Sequence, residues 1–156
     1  NMDDISLESI RKNVSFIQQS PYIFDDTIKK NIIINDNNKI SDEKIIGILK
    51  QVQLYDKIEK FGNGIYEKVK DSSFSKGEKQ LLAFARAIAK ETSIYIFDEP
   101  TSNVDIESEI QLKKVIDSLS EDSTVIIIAH RPATIENVDK ILKVEDGKVI
   151  QMQAKN

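Results

Sequence analysis

The stretch "IYIFDEPTSNVD", residues 94–105, begins with four apolar residues and continues with two adjacent carboxylates, Asp98 and Glu99. A short apolar run that ends in a proline-containing turn predicts a buried strand over 94–97. Paired acids at a strand end are a common way to hold Mg²⁺ and to polarise a water beside a nucleotide phosphate. Acids also end strands as solvated groups or helix caps, so this stretch alone leaves both interpretations open.

Strands and helices alternate along the rest of the chain. The apolar patterns predict further strands over 14–18, 124–129, 138–144 and 148–152, and helices that begin at Ser41 and Ser75 and that span 106–119. Asp146-Gly147 predicts a tight hairpin turn between the last two strands. Such alternation indicates an α/β fold with a parallel sheet. Residues 25–90 read as mostly helical, with a polar loop over 60–73, and are expected to form a sub-domain inserted into that sheet.

The composition fits one soluble-type globular domain of 156 residues. The net charge is −4 and no basic stripe is visible, which argues against nucleic acid as a partner. The absence of cysteine excludes disulfides and thiolate metal sites. No apolar run approaches the roughly 20 residues of a membrane-spanning helix.

A nucleotide site normally has a second half, a glycine-rich loop that ends in Gly-Lys-Ser/Thr and cradles the phosphates. The chain has five glycines, and none is followed by lysine and then serine or threonine; they are Gly47, Gly62, Gly64, Gly77 and Gly147. The strand that ends at Asp98 therefore has no phosphate loop beside it in this sequence.

Three other features allow both a structural and a functional interpretation. Ser75, with Glu78 three residues later, is a capping box, which can merely start a helix or can offer free amides to an anion. Gln19 and His130 each follow an apolar strand. Each is by default a solvated or structural residue, yet each can hydrogen-bond a phosphate at the carboxyl edge of a sheet.

Taken in order, these motifs resemble those of the ATP-binding domain of ABC transporters over essentially the whole chain. "FIQQSPYIF" (16–24) is similar to the Q-loop, and "FSKGEKQLLAFARAI" (74–88) to the signature motif with its helix. The opening stretch is similar to Walker B plus the D-loop, and "IIIAHRPATIENVDKILKVEDGKVI" (126–150) to the H-loop and terminal strands. "PYIFDDTIKKNI" (21–32) resembles the exporter type.

The resemblance implies an ATPase that uses ATP and Mg²⁺ to power transport. It implies that Asp98 and Gln19 bind the metal and that Glu99, His130 and Gln19 are catalytic. The residues expected to contact the nucleotide of a second domain are Ser75, Lys76, Gly77, Glu78 and Asp105. The implied partners are a second nucleotide-binding domain, in a head-to-tail dimer, and the transmembrane domains of a transporter at the cytoplasmic face of the cell membrane.

The implied fold is a P-loop NTPase-type parallel sheet flanked by helices, with residues 1–156 as a partial domain. In that scheme 25–90 is the helical signature sub-domain, and 1–24 with 91–156 is the sheet-containing core. The family's phosphate loop precedes the Q-loop, so the N-terminal strands and the loop are expected to be absent and the fragment inactive. A non-catalytic ABC-like interaction module that has lost its phosphate loop is the alternative. An ATPase of the same superfamily that is not a transporter is a third, and it needs two fused copies.

The family topology also predicts the order of the sheet: 14–18, 94–97, 124–129, then the missing strand, then 138–144. An open central position leaves backbone groups unpaired on both sides. We therefore expect either that 138–152 moves inward or, preferably, that a second copy of the chain fills the gap by self-association. The signature departs from the family pattern, with Phe-Ser-Lys-Gly-Glu in place of Leu-Ser-Gly-Gly-Gln.

Overall fold

The computed structural model describes residues 4–34, 40–102, 104–130 and 138–152. These ranges contain the strands β1 (Val14–Ile17), β2 (Asp26–Thr27), β3 (Lys68–Val69), β4 (Ile94–Asp98), β5 (Thr124–Ile128), β6 (Ile141–Glu145) and β7 (Lys148–Met152). They also contain the helices α1 (Leu7–Asn13), α2 (Ile28–Ile32), α3 (Asp42–Gln51), α4 (Tyr55–Glu59), α5 (Lys76–Lys90) and α6 (Ile106–Asp122). Among them is no helix with the length and apolarity to cross a membrane.

The main sheet has three parallel strands in the order β1-β4-β5. In its register Phe97 lies beside Ile17 on one neighbour and Ile127 on the other. This order confirms the predicted sequence of the first three strands. The connection from β1 to β4 and the connection from β4 to β5 cross the sheet in the same direction. The first passes through α5 and the second through α6. Right-handed crossovers of that kind place both helices on the same face.

Successive side chains of each strand point to opposite faces of this sheet, and the two faces differ in burial. Phe97 is fully buried and stacks on Phe84 of α5, with ring centroids 4.9 Å apart. Leu112 of α6 belongs to the same apolar core. On the opposite face Phe16 and Ile126 remain 54% and 47% exposed. The described residues therefore cover one face of the sheet and leave the other open.

Side-chain caps set the starts of the longer helices. Ser41 accepts a hydrogen bond from the third residue of α3, and Ser75 and Asp105 do the same for α5 and α6. Each of these caps satisfies an amide that has no partner within the helix. Ser6 caps α1 in the same way, and this helix was not predicted from the sequence.

The terminal hairpin is confirmed, with Glu145 of β6 paired to Lys148 of β7. Asp146 and Gly147 have φ values of 49° and 71°, which is the conformation of a type I′ turn. The hairpin forms its own two-stranded sheet and does not pair with β5. The predicted inward movement of 138–152 is therefore wrong for the described residues: the hairpin keeps its local pairing, whose short loop costs little entropy to close, and β5 pairs with β4 and not with β6. Association of two copies stays a prediction.

The predicted loop over 60–73 is more ordered than expected. It holds β3, which pairs antiparallel with β2, and 3₁₀ turns at Gly64–Tyr66 and Asp71–Ser73. Ile65 and Val69 are buried in the core, so this segment packs rather than running freely over the surface. The interpretation of 25–90 as mostly helical agrees with the structure, since α2 to α5 fall between β1 and β4 along the chain. That this segment forms a sub-domain stays a prediction.

Substitution of phenylalanine on the two faces of the sheet tests this architecture. We expect Phe97→Ala to lower the free energy of unfolding of the 156-residue chain by about 3–5 kcal/mol, since it leaves a cavity against Phe84. Phe16→Ala on the neighbouring strand is the matched control and is expected to change it by less than about 0.5 kcal/mol. Denaturant titration measures both. Equal losses in the two variants would contradict a sheet with one open face.

Candidate functional site

Four of the sequence-predicted residues lie at the carboxyl edge of the sheet. Asp98 ends β4 and pairs in register with Ile128, the last residue of β5. Glu99 follows Asp98, His130 follows β5 by two residues, and Gln19 follows β1 by two. Parallel strands end on the same side, and the structure brings these side chains together there.

Glu99 is the centre of this edge cluster, which we define as Gln19, Asp98, Glu99 and His130. The amide nitrogen Nε2 of Gln19 donates to Oε2 of Glu99 over 2.5 Å. Nε2 of His130 lies 3.4 Å from the other carboxylate oxygen, Oε1. The side chain of Glu99 is 25% exposed, whereas that of His130 is 83% exposed. A partly shielded carboxylate thus faces an open surface with an amide and an imidazole beside it.

The backbone at Glu99 is unusual for a residue with a side chain. Its φ is 46°, in the left-handed region, which costs a non-glycine residue of the order of 1 kcal/mol. Its amide donates to the carbonyl of Ile128 over 2.9 Å, and its own carbonyl accepts from the amide and hydroxyl of Ser102. These bonds fix the turn, so the carboxylate is held directly beyond the strand end.

The chemistry of the edge cluster suits proton transfer and a phosphate-bound magnesium ion. A carboxylate with hydrogen-bonding neighbours can accept the proton of an attacking water. Within the described ranges no three His, Asp or Glu side chains group in a way that could hold a metal by themselves. Mg²⁺ needs only one or two carboxylates, because phosphate oxygens and water complete its shell. Asp98, at the end of β4 and next to Glu99 in the chain, fits that requirement.

The remaining predicted residues line a separate pocket of about 500 Å³ between the starts of α5 and α6. We call it the signature pocket; its walls are Gln53, Leu54, Lys57, Ser75, Lys76, Gly77, Glu78, Leu81, Asp105 and Ser108. Two helix N-termini therefore open onto one depression, and both carry the positive end of a helix dipole.

Glu78, the atypical residue of the signature, has a defined set of partners. Its Oε2 accepts from the amide of Ser75 over 2.7 Å, and its own amide donates to the hydroxyl of Ser75 over 3.3 Å. Nζ of Lys57 lies 2.6 Å from the same Oε2. Burial favours the neutral acid, but the hydrogen bonds from Lys57 and Ser75 outweigh it, and the pKa of Glu78 falls below its ordinary value. The charge of Glu78 is thus paired within the pocket.

Asp105, at the other wall of the pocket, caps the start of α6. Its two carboxylate oxygens accept from the amide and the hydroxyl of Ser108, over 2.9 and 2.8 Å. Hydrogen bonding to the Ser108 backbone and side chain lowers the pKa of Asp105. The carboxylate is fixed as the cap of α6 and is exposed toward the pocket.

Sequence reasoning missed Lys57. It lies 21 positions from Glu78, on a different helix, and also places its Nζ 5.0 Å from the centre of the Phe74 ring. Nothing in the local pattern "YDKIE" marks this lysine as different from its exposed neighbours. Only tertiary packing of α4 against the start of α5 shows the pairing.

Comparison with known proteins finds relatives of this chain in one family. A family model described as "ABC transporter" matches residues 1–102. The ATP-dependent lipid A-core flippase of Francisella novicida is 36% identical over 150 residues, which make up 95% of this chain and 25% of that protein. The corresponding flippase of Pasteurella multocida is 38% identical over 151 residues, 96% of this chain and 26% of that protein.

A relative in Bacillus subtilis has a similar identity and coverage. The probable multidrug resistance ABC transporter ATP-binding/permease protein YheH of Bacillus subtilis is 36% identical over 150 residues, 95% of this chain and 22% of that protein. Among solved structures, a bacterial Atm1-family ABC exporter with ATP bound superposes with a TM-score of 0.85 and 29% identity. That match covers 94% of this chain and 26% of the exporter chain. The chain thus spans about a quarter of the length of its relatives.

The pairing of Lys57 with Glu78 predicts how the stability of the folded chain depends on pH. Glu78 has a folded-state pKa below its ordinary value. Its stabilising contribution is therefore complete at neutral pH, above the unfolded pKa, and is lost as the pH falls through the folded pKa. We expect Lys57→Met to raise the pKa of Glu78 and to reduce this acid-dependent loss, as followed by carboxyl-carbon NMR titration and thermal unfolding.

Lys44→Met is the matched control, because Lys44 pairs with Glu91 at an exposed position away from the signature pocket. It is expected to leave the titration of Glu78 unchanged. The same Glu78 pKa in the wild-type chain and in Lys57→Met would contradict the assignment of Lys57 as its charge partner.

Proposed function

Because the chain belongs to the ABC transporter family, as an ATP-binding region of the exporter type, we propose that it forms part of the domain that hydrolyses ATP to drive export. The observation that carries this proposal is the convergence of Gln19 and His130 on Glu99, beside Asp98. It is an arrangement of base, orienting groups and metal ligand at the edge where nucleotides bind α/β sheets.

In this proposal Glu99 is the general base. Its carboxylate takes the proton of the water that attacks the terminal phosphate of ATP. Gln19 and His130 hold and orient the carboxylate and the water, and His130 contacts the phosphate from its exposed position. Asp98 and Gln19 would hold Mg²⁺, which neutralises phosphate charge when bound. The left-handed backbone at Glu99 keeps the carboxylate in place between cycles.

The signature pocket serves the ATP of a second, identical or similar domain in a head-to-tail dimer. The start of α5 offers the free amides of its first turn, with Ser75 and Gly77 leaving room for a phosphate. Lys76 adds a cation that the usual signature lacks. Lys57 offsets the charge of Glu78, so an acid in place of the family's glutamine is compatible with an anionic ligand. Asp105 helps to shape the facing wall.

In this proposal other parts of the whole protein complete the site. We place the phosphate loop in a segment outside these 156 residues, since no Gly-Lys-Ser/Thr sequence lies within them. Residues 25–90 act as the helical signature sub-domain, and 1–24 with 91–156 act as part of the catalytic core. Transmembrane domains are the remaining partners, which puts this region at the cytoplasmic face of the membrane. ATP-driven closure of two such domains then moves the membrane domains between inward and outward states.

The role of Glu99 is tested in the full-length protein. Glu99→Gln keeps the size of the side chain and one of its two acceptor oxygens, but the amide cannot take a proton at neutral pH. We expect ATP binding to persist and kcat to fall by about 10²-fold or more. His130→Ala is expected to behave similarly, because it removes the phosphate contact. Steady-state ATPase assays measure the fall in kcat, and equilibrium nucleotide-binding measurements show whether ATP binding persists.

Glu121→Gln, an exposed change near the end of α6, is the matched control and is expected to keep the wild-type rate. Near-normal turnover of both Glu99→Gln and His130→Ala would overturn the site. In that case groups outside the edge cluster would hydrolyse ATP. A wild-type full-length protein without ATPase activity is the result that would favour the interaction module without catalysis.

The second test uses the 156-residue chain alone. Hydrogen bonds to charged groups contribute about 1.5–3 kcal/mol each, so losing three from a phosphate loop weakens binding by at least about 10³-fold. We expect calorimetry to show no Mg-ATP binding in the micromolar range and no hydrolysis. Micromolar affinity would mean that the chain holds a phosphate cradle of its own.

A further inference from the structure

Arg86, in the middle of α5, makes a set of contacts that the ATPase assignment does not use. Its Nε donates to the backbone carbonyl of Asn31 over 2.5 Å, and a terminal nitrogen donates to the carbonyl of Tyr22 over 2.5 Å. The other terminal nitrogen donates to Oδ1 of Asn31 over 2.8 Å. The guanidinium also lies 5.4 Å from the centre of the Phe24 ring. All three acceptors are neutral oxygens.

Asn31 completes this arrangement from α2. Its side chain is fully buried, with 0% exposure of the residue. Oδ1 accepts from the amide of Phe24 over 2.9 Å, while Nδ2 donates to the carbonyls of Phe24 and Thr27 over 2.9 and 3.1 Å. Arg86 and Asn31 together bind the backbone of residues 22–27 at several points. We call this pair the loop clamp.

The loop clamp adds to the other contacts of this segment, which are the buried side chain of Ile23 and the pairing of β2 with β3 at residues 26–27. Tyr22 and Phe24 are 64% and 45% exposed, and Ile23 between them is the buried anchor. Burial lowers the pKa of Arg86 to about 10, so the guanidinium still carries its charge at neutral pH. Charged donors form hydrogen bonds about twice as strong as neutral ones, and each carbonyl left without its donor costs desolvation energy. The clamp therefore fixes the path of this backbone.

The fixed segment begins just after the edge cluster. Gln19, which contacts Glu99, lies three residues before Tyr22, and only Ser20 and Pro21 separate them. The ring of Pro21 restricts its φ, so the short connection transmits position well. Arg86 sits on the same helix that starts at Ser75 in the signature pocket. One rigid helix therefore reaches from that pocket to the loop that carries Gln19.

We propose that Arg86 is a positioning residue that sets the place of Gln19 against Glu99 through the loop clamp. This inference rests on the proposed ATPase function and adds to it a physical link between α5 and the edge cluster. Catalysis depends steeply on placement, and an error of about 1 Å can cost about 10²-fold in rate. The role requires the fork of the guanidinium, because a lysine reaches fewer of the three acceptors.

The test compares kcat and KM for ATP in the full-length wild-type protein and in Arg86→Met, Arg86→Lys, Gln19→Ala and Arg86→Met/Gln19→Ala. We expect Arg86→Met to lower kcat by about 10-fold or more with KM for ATP within about threefold, and Arg86→Lys to lie between it and the wild type. The double variant is expected to be no slower than Gln19→Ala within about twofold, since Arg86 acts through Gln19. Arg11→Met on α1 is the matched exposed control with wild-type kinetics.

Hydrogen exchange in the same full-length proteins supplies a readout besides activity. Arg86→Lys, the mildest change, is expected to speed amide exchange in residues 22–27 at least about threefold and to leave α3 unchanged. It keeps the inference testable if Arg86→Met does not fold. Unchanged exchange in 22–27, or rate losses of Arg86→Met and Gln19→Ala that multiply in the double variant, would overturn the positioning role. Loss of activity in Glu99→Gln alongside such a result would leave the ATPase assignment standing.

Discussion

The parallel, in-register pairing of β1, β4 and β5 is the constraint on which the site depends. Because the three strands run the same way, Gln19, Glu99 and His130 emerge at one edge although up to 111 positions separate them in the sequence. A slip of one residue in either ladder would turn the apolar set to the opposite face and displace the polar group beyond each strand. Burial of Phe97 and Tyr95 between sheet and helices opposes that slip.

The carboxylates near the starts of α5 and α6 each have partners that compensate their charge. Glu78 sits at the beginning of α5, where the helix dipole and Lys57 both favour its ionised form. Asp105 is held by Ser108 at the start of α6. Neither carboxylate therefore stands uncompensated in the signature pocket. The pairing of both acids is what makes the proposed binding of a phosphate in this pocket electrostatically feasible.

Much of this was predictable from the sequence, and the rest was hidden for a physical reason. Strand alternation, the capping box at Ser75 and the Asp146-Gly147 turn are local signals, and the structure confirms each. The order of the sheet followed from the family topology. The pairs that were missed, Lys57 with Glu78 and Arg86 with Asn31, join residues 21 and 55 positions apart, so no local pattern announces them. The inward movement predicted for the terminal hairpin was wrong: the hairpin does not pair with β5, and no local signal decides a pairing between segments so distant.

We expect the nucleotide to be processed at the carboxyl edge of β1, β4 and β5. A structure of the full-length protein carrying Glu99→Gln, solved with Mg-ATP, tests this most directly. We expect Mg²⁺ bound to Asp98 directly at about 2.1 Å or through one water, with the terminal phosphate within hydrogen-bond reach of His130. Nucleotide bound elsewhere, with the edge cluster of its own domain remote from the terminal phosphate, would contradict it.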